Sequence, residues 1–440
     1  FLSLSVLDFR GFSQFGLIAG VGVILCFVAL YLVLPPLVVL AARLKTESVG
    51  RFGKMSGQVP WFACNRGRAF GTLLVTLVVV AALAPGATDS HLDPDLSKVE
   101  TPGNEWNEAL CQRYRAEVEN LSSVPIVLQT ESYEEAGRVY RYLKQHLRDF
   151  RRLQQVEALP GFVPADQDEK LGIIADIRRT IIRKRGALEG EDAEAADRAL
   201  EFLSPSAFGR TDLPEWVLDK FTDAGGGVGR VVFLFADVIL TNSMDIGDVL
   251  SETDIIDVGG KKYETTASYY IGFDVFDIVS KEGPWAMGLA ALAVFLVLLL
   301  DLRSVRRTFL AFLPLPLGMA AFLGLAAYVG WPLNVFNMVV LPIFFGIGID
   351  TSIHLVHRGR EELREAVAEG RAPNLGRAVG SAGAAAGMSA LTTAAGFSAM
   401  LVATNPGLAS IGTMAPVGIF ICYLVAVGIT GSLLWFWLRR

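Results

Sequence analysis

The stretch 308–349 reads TFLAFLPLPLGMAAFLGLAAYVGWPLNVFNMVVLPIFFGIGI and contains no Asp, Glu, Lys or Arg. The stretch 378–438 is free of the same four residue types. Each is longer than the roughly 20 apolar residues that one helix needs to cross a bilayer. Of the 440 residues, 52% are hydrophobic and only 19% are charged, against about 25% charged residues in soluble domains. This composition indicates an integral membrane protein and excludes a disordered chain.

Seven membrane-spanning helices are predicted from the apolar runs, at 14–36, 69–85, 285–301, 308–328, 335–356, 380–402 and 408–436. Basic residues are concentrated in four segments between or after these runs, at 43–68, 302–307, 358–377 and 439–440. Positive charge marks the cytoplasmic ends of membrane helices, so these four segments are predicted to be cytoplasmic. Seven crossings then place the long polar segment 87–284 outside the cell membrane.

The segment 87–284 carries 37 acidic and 22 basic residues, whereas the rest of the chain carries 8 acidic and 17 basic residues. An acidic polar domain, with basic residues at helix ends, argues against nucleic-acid binding. Apolar periodicity predicts a mixed domain of helices and strands. The predicted strands are 123–130, 230–240 and 261–266, and the predicted helices are 133–150, 173–182, 193–203, 244–256 and 268–281.

Two segments of the chain resemble each other at a fixed offset of 396 residues. Residues 1–26 read FLSLSVLDFRGFSQFGLIAGVGVILC, and residues 397–422 read FSAMLVATNPGLASIGTMAPVGIFIC. Eight positions are identical, among them three glycines, which fix turns and close helix contacts. We interpret this as a tandem duplication, of which the chain holds the end of the first copy and all of the second. Repeats of this kind are typical of transporters, which bind substrate at the repeat interface.

Three stretches carry a resemblance to a known family: FGLIAGVGVILC (15–26), WPLNVFNMVVLPIFFGIGIDTSIHLVHRGREE (331–362) and SALTTAAGFSAML (389–401). With the topology, they resemble the resistance–nodulation–division (RND) superfamily, and more closely its MmpL, hopanoid-exporter and Patched-like branch. The resemblance implies an α-helical transmembrane bundle with an α+β periplasmic porter domain, and a first half that lies mostly outside this chain. The implied domains are the last span of the first repeat (1–43), a cytoplasmic connector (44–68), the first span of the second repeat (69–86), the porter domain (87–284) and a five-span bundle (285–440).

Asp350 is the only acidic residue well inside a predicted span. A charged side chain there costs about 2.5–3.5 kcal/mol on insertion scales, so it must face a partner or water, or be protonated. Because removal from water favours the neutral acid, such a carboxyl can take up and release a proton. The resemblance implies the same role, since the family places a GxxxD acid in this span as part of a proton relay. Here the motif runs from Gly346 through Gly348 to Asp350, and Thr351 stands where the family often has Tyr.

Four neighbours of Asp350 complete the predicted relay: Thr351, His354, Thr392 and Thr393. His354 lies one helical turn after Asp350 and is interpreted either as a proton carrier or as an interfacial histidine. Thr392 and Thr393, in the next span, can hydrogen-bond either the carboxyl or their own helix backbone. His357 is interpreted as an ordinary boundary residue. The two glycines of the motif are predicted to allow close helix approach or the access of water.

The spacing of Asp350, His354 and His357 could also indicate a metal site. One helix face rarely completes a tetrahedral ligand set, and no second Cys/His cluster accompanies it, so we predict neither a metal nor a cofactor. Ser352, His354 and Asp350 lie on different faces of one helix and cannot form a catalytic triad, so we expect no enzyme. The segment 46–66 is interpreted either as lying flat on the inner leaflet or as a polar connector.

The expected function is a proton-motive-force-driven exporter of hydrophobic or lipid-like substrates from the bacterial inner membrane. Its expected partners are protons, the lipid substrate and membrane lipids. The resemblance leaves open a homo-oligomer and periplasmic partner proteins, because relatives are trimers, dimers or monomers. Two alternatives are a sterol-sensor or Patched-like lipid-binding receptor and a SecDF-like helper of protein translocation.

Overall fold

The computed structural model describes residues 1–43, 65–99, 124–238 and 242–437. The chain divides into two compact units. The first, called the membrane unit below, comprises Phe1–Glu105 and Asp274–Arg440, and the second, called the polar unit, comprises Trp106–Phe273. Nearly all of the segment 46–66, predicted to contact the inner leaflet or to form a connector, lies outside the described residues.

The described residues form long helices in the membrane unit and a mixture of short helices and strands in the polar unit. In chain order the helices are α1 (Arg10–Arg43), α2 (Arg66–Leu83), α3 (Tyr133–Gln145), α4 (Gln167–Lys184), α5 (Gly190–Phe202), α6 (Glu215–Lys220), α7 (Ser243–Thr253), α8 (Tyr270–Leu302), α9 (Val305–Phe312), α10 (Pro314–Val329), α11 (Val335–Met338), α12 (Leu341–Ala368), α13 (Leu375–Ser398) and α14 (Pro406–Trp437). The strands are β1 (Ile126–Gln129), β2 (Leu153–Ala158), β3 (Val231–Ala236), β4 (Ile255–Val258) and β5 (Lys261–Thr266).

Six helical segments of the described residues are long and apolar enough to cross a membrane: Arg10–Leu40, Arg66–Asp89, Tyr270–Leu302, Val305–Val329, Leu375–Val402 and Pro406–Phe436. They coincide with six of the seven predicted spans. The seventh, 335–356, is interrupted between α11 and α12, and the polar residues that follow Ile349 keep α12 out of this apolar set. A membrane crossing by α12 therefore stays a prediction.

Close glycine contacts hold the helices of the membrane unit together. A Cβ atom on Gly324 of α10 would lie 1.8 Å from the carbonyl oxygen of Leu83, at the end of α2. A Cβ on Gly428 of α14 would lie 2.3 Å from Thr76 Oγ1 on α2. Only a residue without a side chain lets helices approach this closely. Helix α14 is the central one, since 67% of the residues in its most apolar stretch are buried, against 6% for α1.

The two segments that resemble each other in sequence also share their backbone structure. Each begins with a 3₁₀ helix, Leu2–Val6 in the first and Ala399–Val402 in the second. The long helix that follows begins at Arg10 in the first and at Pro406 in the second, which is the same offset of 396 residues.

The glycines at equivalent positions 16 and 412 make equivalent contacts at the two corners, that is, where each long helix contacts the 3₁₀ helix that precedes it. A Cβ on Gly16 would lie 2.7 Å from Leu4 Cβ, and one on Gly412 would lie 2.9 Å from the carbonyl carbon of Met400. Leu4 and Met400 are themselves related by the offset. The shared corner geometry supports the interpretation of the two segments as copies of one unit.

The polar unit is built on a five-stranded sheet in the order β2-β3-β1-β5-β4, and all neighbouring strands are antiparallel. Helix α3 connects β1 to β2, and helix α7 connects β3 to the β4–β5 hairpin. Two β-α-β units interleaved in this way make the split, ferredoxin-like arrangement. Helices α4, α5 and α6 form an insertion between β2 and β3.

Sequence periodicity predicted most elements of the polar unit and missed two strands. Strand β2 (LQQVEA) was missed because it is rich in polar residues and lies at the sheet edge, and because a register shift between Leu153 and Gln155 breaks the alternation of its buried side chains. The predicted helix 244–256 ends at Thr253, because its last residues belong to β4. The predicted helix 133–150 ends at Gln145, and a 3₁₀ turn follows it.

Candidate functional site

Asp350 lies within α12 beside a narrow cleft that α13 and α14 also line. The polar side chains at this cleft come from all three helices: Asp350 and Thr351 from α12, Ser389 from α13 and Tyr423 from α14. Ser389 lies at the centre of the candidate span Leu375–Val402, and Tyr423 lies near the centre of Pro406–Phe436. Asp350 is therefore level with the middle of two helices that are apolar enough to cross a membrane.

The Asp350 carboxyl lies at the surface of the membrane unit and has no hydrogen bond or ion pair with any described residue. In particular, no arginine or lysine among those residues neutralises it. A carboxyl at membrane depth without a cationic partner must be hydrated or protonated. The arrangement leaves the group able to change its protonation state without breaking a salt bridge.

The two glycines of the motif lie on different faces of α12, and only one of these faces is closely packed. A Cβ on Gly348 would lie 2.8 Å from Leu315 Cδ2 and 3.4 Å from Cys422 Cβ, so this glycine permits close packing on α10 and α14. A Cβ on Gly346 would meet only Phe1 Cε2, at 3.9 Å. Of the two interpretations open for Gly346, close helix approach or the access of water, this geometry favours the access of water, because the face next to Asp350 is left open.

Of the other predicted relay residues, Thr351 and His354 lie near Asp350 on α12, and Thr392 and Thr393 lie on α13. None of the four is hydrogen-bonded to Asp350. Thr351 is buried and lines the same cleft, whereas His354 is exposed one turn further along α12. The hydroxyls of Thr392 and Thr393 both donate to the backbone carbonyl of Ser389, at 2.9 Å. Of the two interpretations open for these threonines, the structure has the bond to their own helix.

Sequence reasoning missed two polar contacts near the site. Tyr423 lines the Asp350 cleft, and its hydroxyl donates to the carbonyl of Gly383 at 3.2 Å. Ser352, which points away from Asp350, lies 3.3 Å from Thr430 across the interface between α12 and α14. A tyrosine inside an otherwise apolar span was the available signal for the first contact, and nothing in the sequence indicated the second.

The three residues with metal-like spacing do not converge. His357 Nε2 lies 2.7 Å from Asp301 Oδ2 at the end of α8, which ties α12 to α8. Asp350 and His354 lie further back along α12. No group of three or more His, Cys, Asp or Glu residues that could hold a metal ion occurs in the described part of the chain.

A second cleft, of about 340 Å³, lies at the other end of α10. It is lined by residues of the segment that follows α2 and by residues 330–333, which connect α10 to α11. The backbone N–H of Asp93 donates to the carbonyl of Leu333 at 2.7 Å. Lys98 Nζ lies 2.6 Å from Asp93 Oδ2. Charged and apolar groups, including Trp331, therefore meet at one opening.

Comparison with known proteins gives matches of three kinds. Residues 245–440 match the MMPL family. A membrane protein of Methanocaldococcus jannaschii is 21% identical over 371 residues, which cover 83% of this chain and 90% of that protein. The hopanoid transporter HpnN of Rhodopseudomonas palustris is 30% identical over 137 residues, which cover 30% of this chain and 14% of the transporter. The structure of the hedgehog release protein Disp from the water bear Hypsibius dujardini has a TM-score of 0.48 and 10% identity, covering 84% of this chain and 48% of that one.

The chain spans about half the length of the water bear protein and a smaller part of the hopanoid transporter. The family match contains the whole of α12, α13 and the described part of α14, and therefore the Asp350 cleft. The resemblance to MmpL-like proteins that was read from the sequence is confirmed, since residues 245–440 of this membrane protein match the MMPL family.

Proposed function

We propose that the chain is part of a proton-motive-force-driven exporter of hydrophobic or lipid-like substrates, and not an enzyme. The observation that carries this proposal is the carboxyl of Asp350, which has no ion pair with any residue of the described ranges and is level with the middle of two apolar helices. An intramembrane ionisable group is energetically costly, so its presence indicates a function. The MMPL-family match and the similarity to a hopanoid transporter support transport of a lipid-like substrate.

The proposal includes a membrane crossing by α12, which brings the spans to seven. This helix has 28 residues and is about 42 Å long, more than the roughly 30 Å of a bilayer core. It packs beside α13 and α14, and the polar residues of its middle are level with the centres of both. A helix placed in this way between two spans crosses with them. The segment 87–284 is then the periplasmic porter domain, and 285–440 is the five-span bundle of an inner-membrane protein.

The proton step follows from where Asp350 lies. Water reaches the carboxyl along the open face next to Gly346 and delivers a proton to it. The neutral acid no longer needs water, so α12 can shift along the close contacts that Gly348 permits with α10 and α14. Thr351 and His354 lie nearest along the helix and would pass the proton onward. Thr392 and Thr393 take part only if their hydroxyls leave the carbonyl of Ser389.

The substrate step uses the end of the bundle opposite to the basic connectors. The cleft between the segment after α2 and residues 330–333 offers charged groups, Asp93 and Lys98, beside the apolar ring of Trp331. This combination suits an amphiphile whose headgroup leaves the outer leaflet while its apolar part stays in the membrane. The porter domain would then pass the substrate onward, with a periplasmic partner or a second copy as further members of the assembly.

The proposal is tested by Asp350→Asn in the whole protein, with export of a hopanoid-type lipid measured in cells that keep a proton gradient. We expect export to fall to the background of cells without the protein. Asp192→Asn, which removes an exposed acid of α5, is the matched control and should export normally. Equal membrane levels of both variants are confirmed first. Unchanged export by Asp350→Asn would remove this carboxyl from the mechanism.

A second measurement separates export from a receptor role. Collapse of the proton gradient should stop export by the unaltered protein and leave lipid binding by the purified protein intact. Continued export without a gradient would contradict proton coupling. A defect in protein secretion on depletion, with normal lipid export, would favour a translocation helper instead.

A further inference from the structure

The cleft beside Asp350 has room for a single water molecule. The centre of a water molecule can occupy about 10 Å³ of the cleft, and a space of this size holds about one water. A water enclosed by protein needs about two to four polar partners. The four polar side chains that line the cleft, those of Asp350, Thr351, Ser389 and Tyr423, can supply them. The carboxyl of Asp350 and the phenol of Tyr423 therefore lie about one water apart.

The hydroxyl of Tyr423 occupies a notch in the surface of α13. A Cβ on Gly387 would lie 2.8 Å from Tyr423 Oη and 3.1 Å from Tyr423 Cζ, so a side chain at this position would push the phenol away. Inside the notch the hydroxyl donates to the carbonyl of Gly383 at 3.2 Å. The notch thus holds the hydroxyl of α14 against α13, next to the cleft that contains Asp350.

The hydrogen bond to Gly383 is one that the hydroxyl can leave. Its length of 3.2 Å exceeds the about 2.7–2.8 Å that is usual for such bonds. The carbonyl of Gly383 lies inside α13, where it also accepts the backbone N–H of Gly387. It therefore keeps a partner when the hydroxyl turns away. Since a hydroxyl proton rotates to suit its acceptors, the O–H of Tyr423 can point either to the carbonyl or into the cleft.

Few other groups can influence the charge of Asp350 at the cleft. Asp350 and Tyr423 are the only titratable residues in the described part of the chain that line it, because α13 contributes only alanine and serine. His354, one turn further along α12, is exposed. On the other side of the helix, the side chain next to Gly346 is the apolar ring of Phe1. Tyr423 is thus the group best placed to respond to the protonation state of the carboxyl.

We propose that Tyr423 is a positioning residue for proton transfer at Asp350, and that its hydroxyl switches between the carbonyl of Gly383 and one water molecule on the carboxyl. When Asp350 is ionised, Tyr423 donates to the water and the water donates to the carboxylate. When Asp350 is neutral, the acid donates to the water, the water donates to the phenol oxygen, and the O–H of Tyr423 returns to Gly383. The role in export rests on the proposed function, whereas the water-mediated contact does not.

The test is the pH profile with which dicyclohexylcarbodiimide, a reagent for neutral carboxyls, labels Asp350 in the purified whole protein. Mass spectrometry of the labelled peptide measures the yield, and Asp350→Asn gives the background. Tyr423→Phe keeps the ring and removes the donor that supports the carboxylate. The pH of half-maximal labelling should therefore rise by about half a unit to one unit, which corresponds to one hydrogen bond. Tyr328→Phe, which removes a hydroxyl that donates to the carbonyl of Ala82, is the matched control and should leave the profile unchanged.

A second variant disturbs the same contact from the opposite helix. Gly387→Ala places a Cβ against Tyr423 Oη and should shift the labelling profile in the same direction as Tyr423→Phe. The two shifts should not add in the double variant, because each removes the same contact. Gly396→Ala, on the same helix, meets nothing within 4 Å and should leave the profile unchanged. An unmoved profile in both Tyr423→Phe and Gly387→Ala would overturn the proposal.

The lipid-export assay separates this proposal from the proposed function. A shifted labelling profile in Tyr423→Phe, together with export that does not need the proton gradient, would support the contact and contradict proton-driven export. Export that needs the gradient, together with an unmoved labelling profile, would overturn the role of Tyr423 and leave the proposed function standing.

Discussion

His357 Nε2 and Asp301 Oδ2 lie 2.7 Å apart and join α12 to the end of α8, two turns beyond Asp350. The side chains are 45% and 46% exposed, so water screens the contact. Exposed pairs of this kind contribute about 0–1 kcal/mol. The contact between His357 and Asp301 is thus weak, although it lies only two turns from Asp350. Substitution of His357 and substitution of Asp350 should therefore have different effects on stability and export.

His357→Gln should therefore lower the free energy of unfolding by less than about 1 kcal/mol and leave export intact. The reason is that both partners stay hydrated when the contact is lost. Thermal unfolding in detergent and the lipid-export assay measure the two effects. Loss of export in His357→Gln, at normal expression, would show that the proton path extends to the end of α12.

Valine at the two motif glycines should give unequal losses of stability. Gly348→Val places new atoms against Leu315 and Cys422 and should cost about 1–3 kcal/mol through overpacking. Gly346→Val meets only the edge of Phe1 at the Cβ position and should cost less than half as much. Because both changes alter the intrinsic helix propensity by the same amount, the difference in melting temperature isolates packing. Equal melting temperatures would contradict the assignment of faces.

Alanine at Gly324 should destabilise the membrane unit strongly. Its Cβ would lie 1.8 Å from the backbone oxygen of Leu83, which cannot rotate away as a side chain can. We expect a cost of about 3 kcal/mol or more, at the upper end for overpacking. Gly288→Ala, where a Cβ meets nothing within 4 Å, should instead stabilise α8 slightly. Melting temperatures that shift in the same direction for both variants would refute this account.

The stability of the polar unit should fall in acid because of Glu135. Hydrogen bonds from Lys261 and Tyr263, and from the backbone N–H of Glu131, lower the pKa of this buried carboxyl to about 2, from 4.5. A lowered pKa stabilises the fold above the unfolded value, here by about 3 kcal/mol, and this contribution is lost as the pH falls from 4.5 to 2.

Thermal unfolding of the whole chain between pH 7 and pH 2 measures this contribution when it is compared with Glu135→Gln. The difference in melting temperature between the two proteins should be largest above pH 5 and should shrink towards pH 2. Subtraction cancels the pH dependence of all other groups. A difference that stays constant over this range would show that Glu135 is not held ionised by its partners.

Local composition was enough to predict six helices that are long and apolar enough to cross a membrane. A spanning helix must be apolar over its whole length, so its signal lies in adjacent residues. Asp350 was recognisable because it is an acidic residue inside one of the predicted spans. The repeat was also readable, because the glycines at 16 and 412 must stay glycine for the helix to meet the preceding backbone.

Contacts between segments that are distant in the chain could not be predicted from the sequence. Nothing in the motif at 346–350 distinguishes the packed face of Gly348 from the open face of Gly346. The bonds of Thr392 and Thr393 to Ser389 depend on rotamers within one helix. Strand β2 forms because β3 supplies a partner, not because its own residues favour a strand.

At Gly16 and Gly412 the long helix can contact the 3₁₀ helix before it because glycine has no side chain. A duplicated segment must therefore keep these glycines, whereas the residues around them can change. The two long helices, which begin at Arg10 and Pro406, can therefore make the same angle with the preceding 3₁₀ helix even though most of their side chains differ between the two copies.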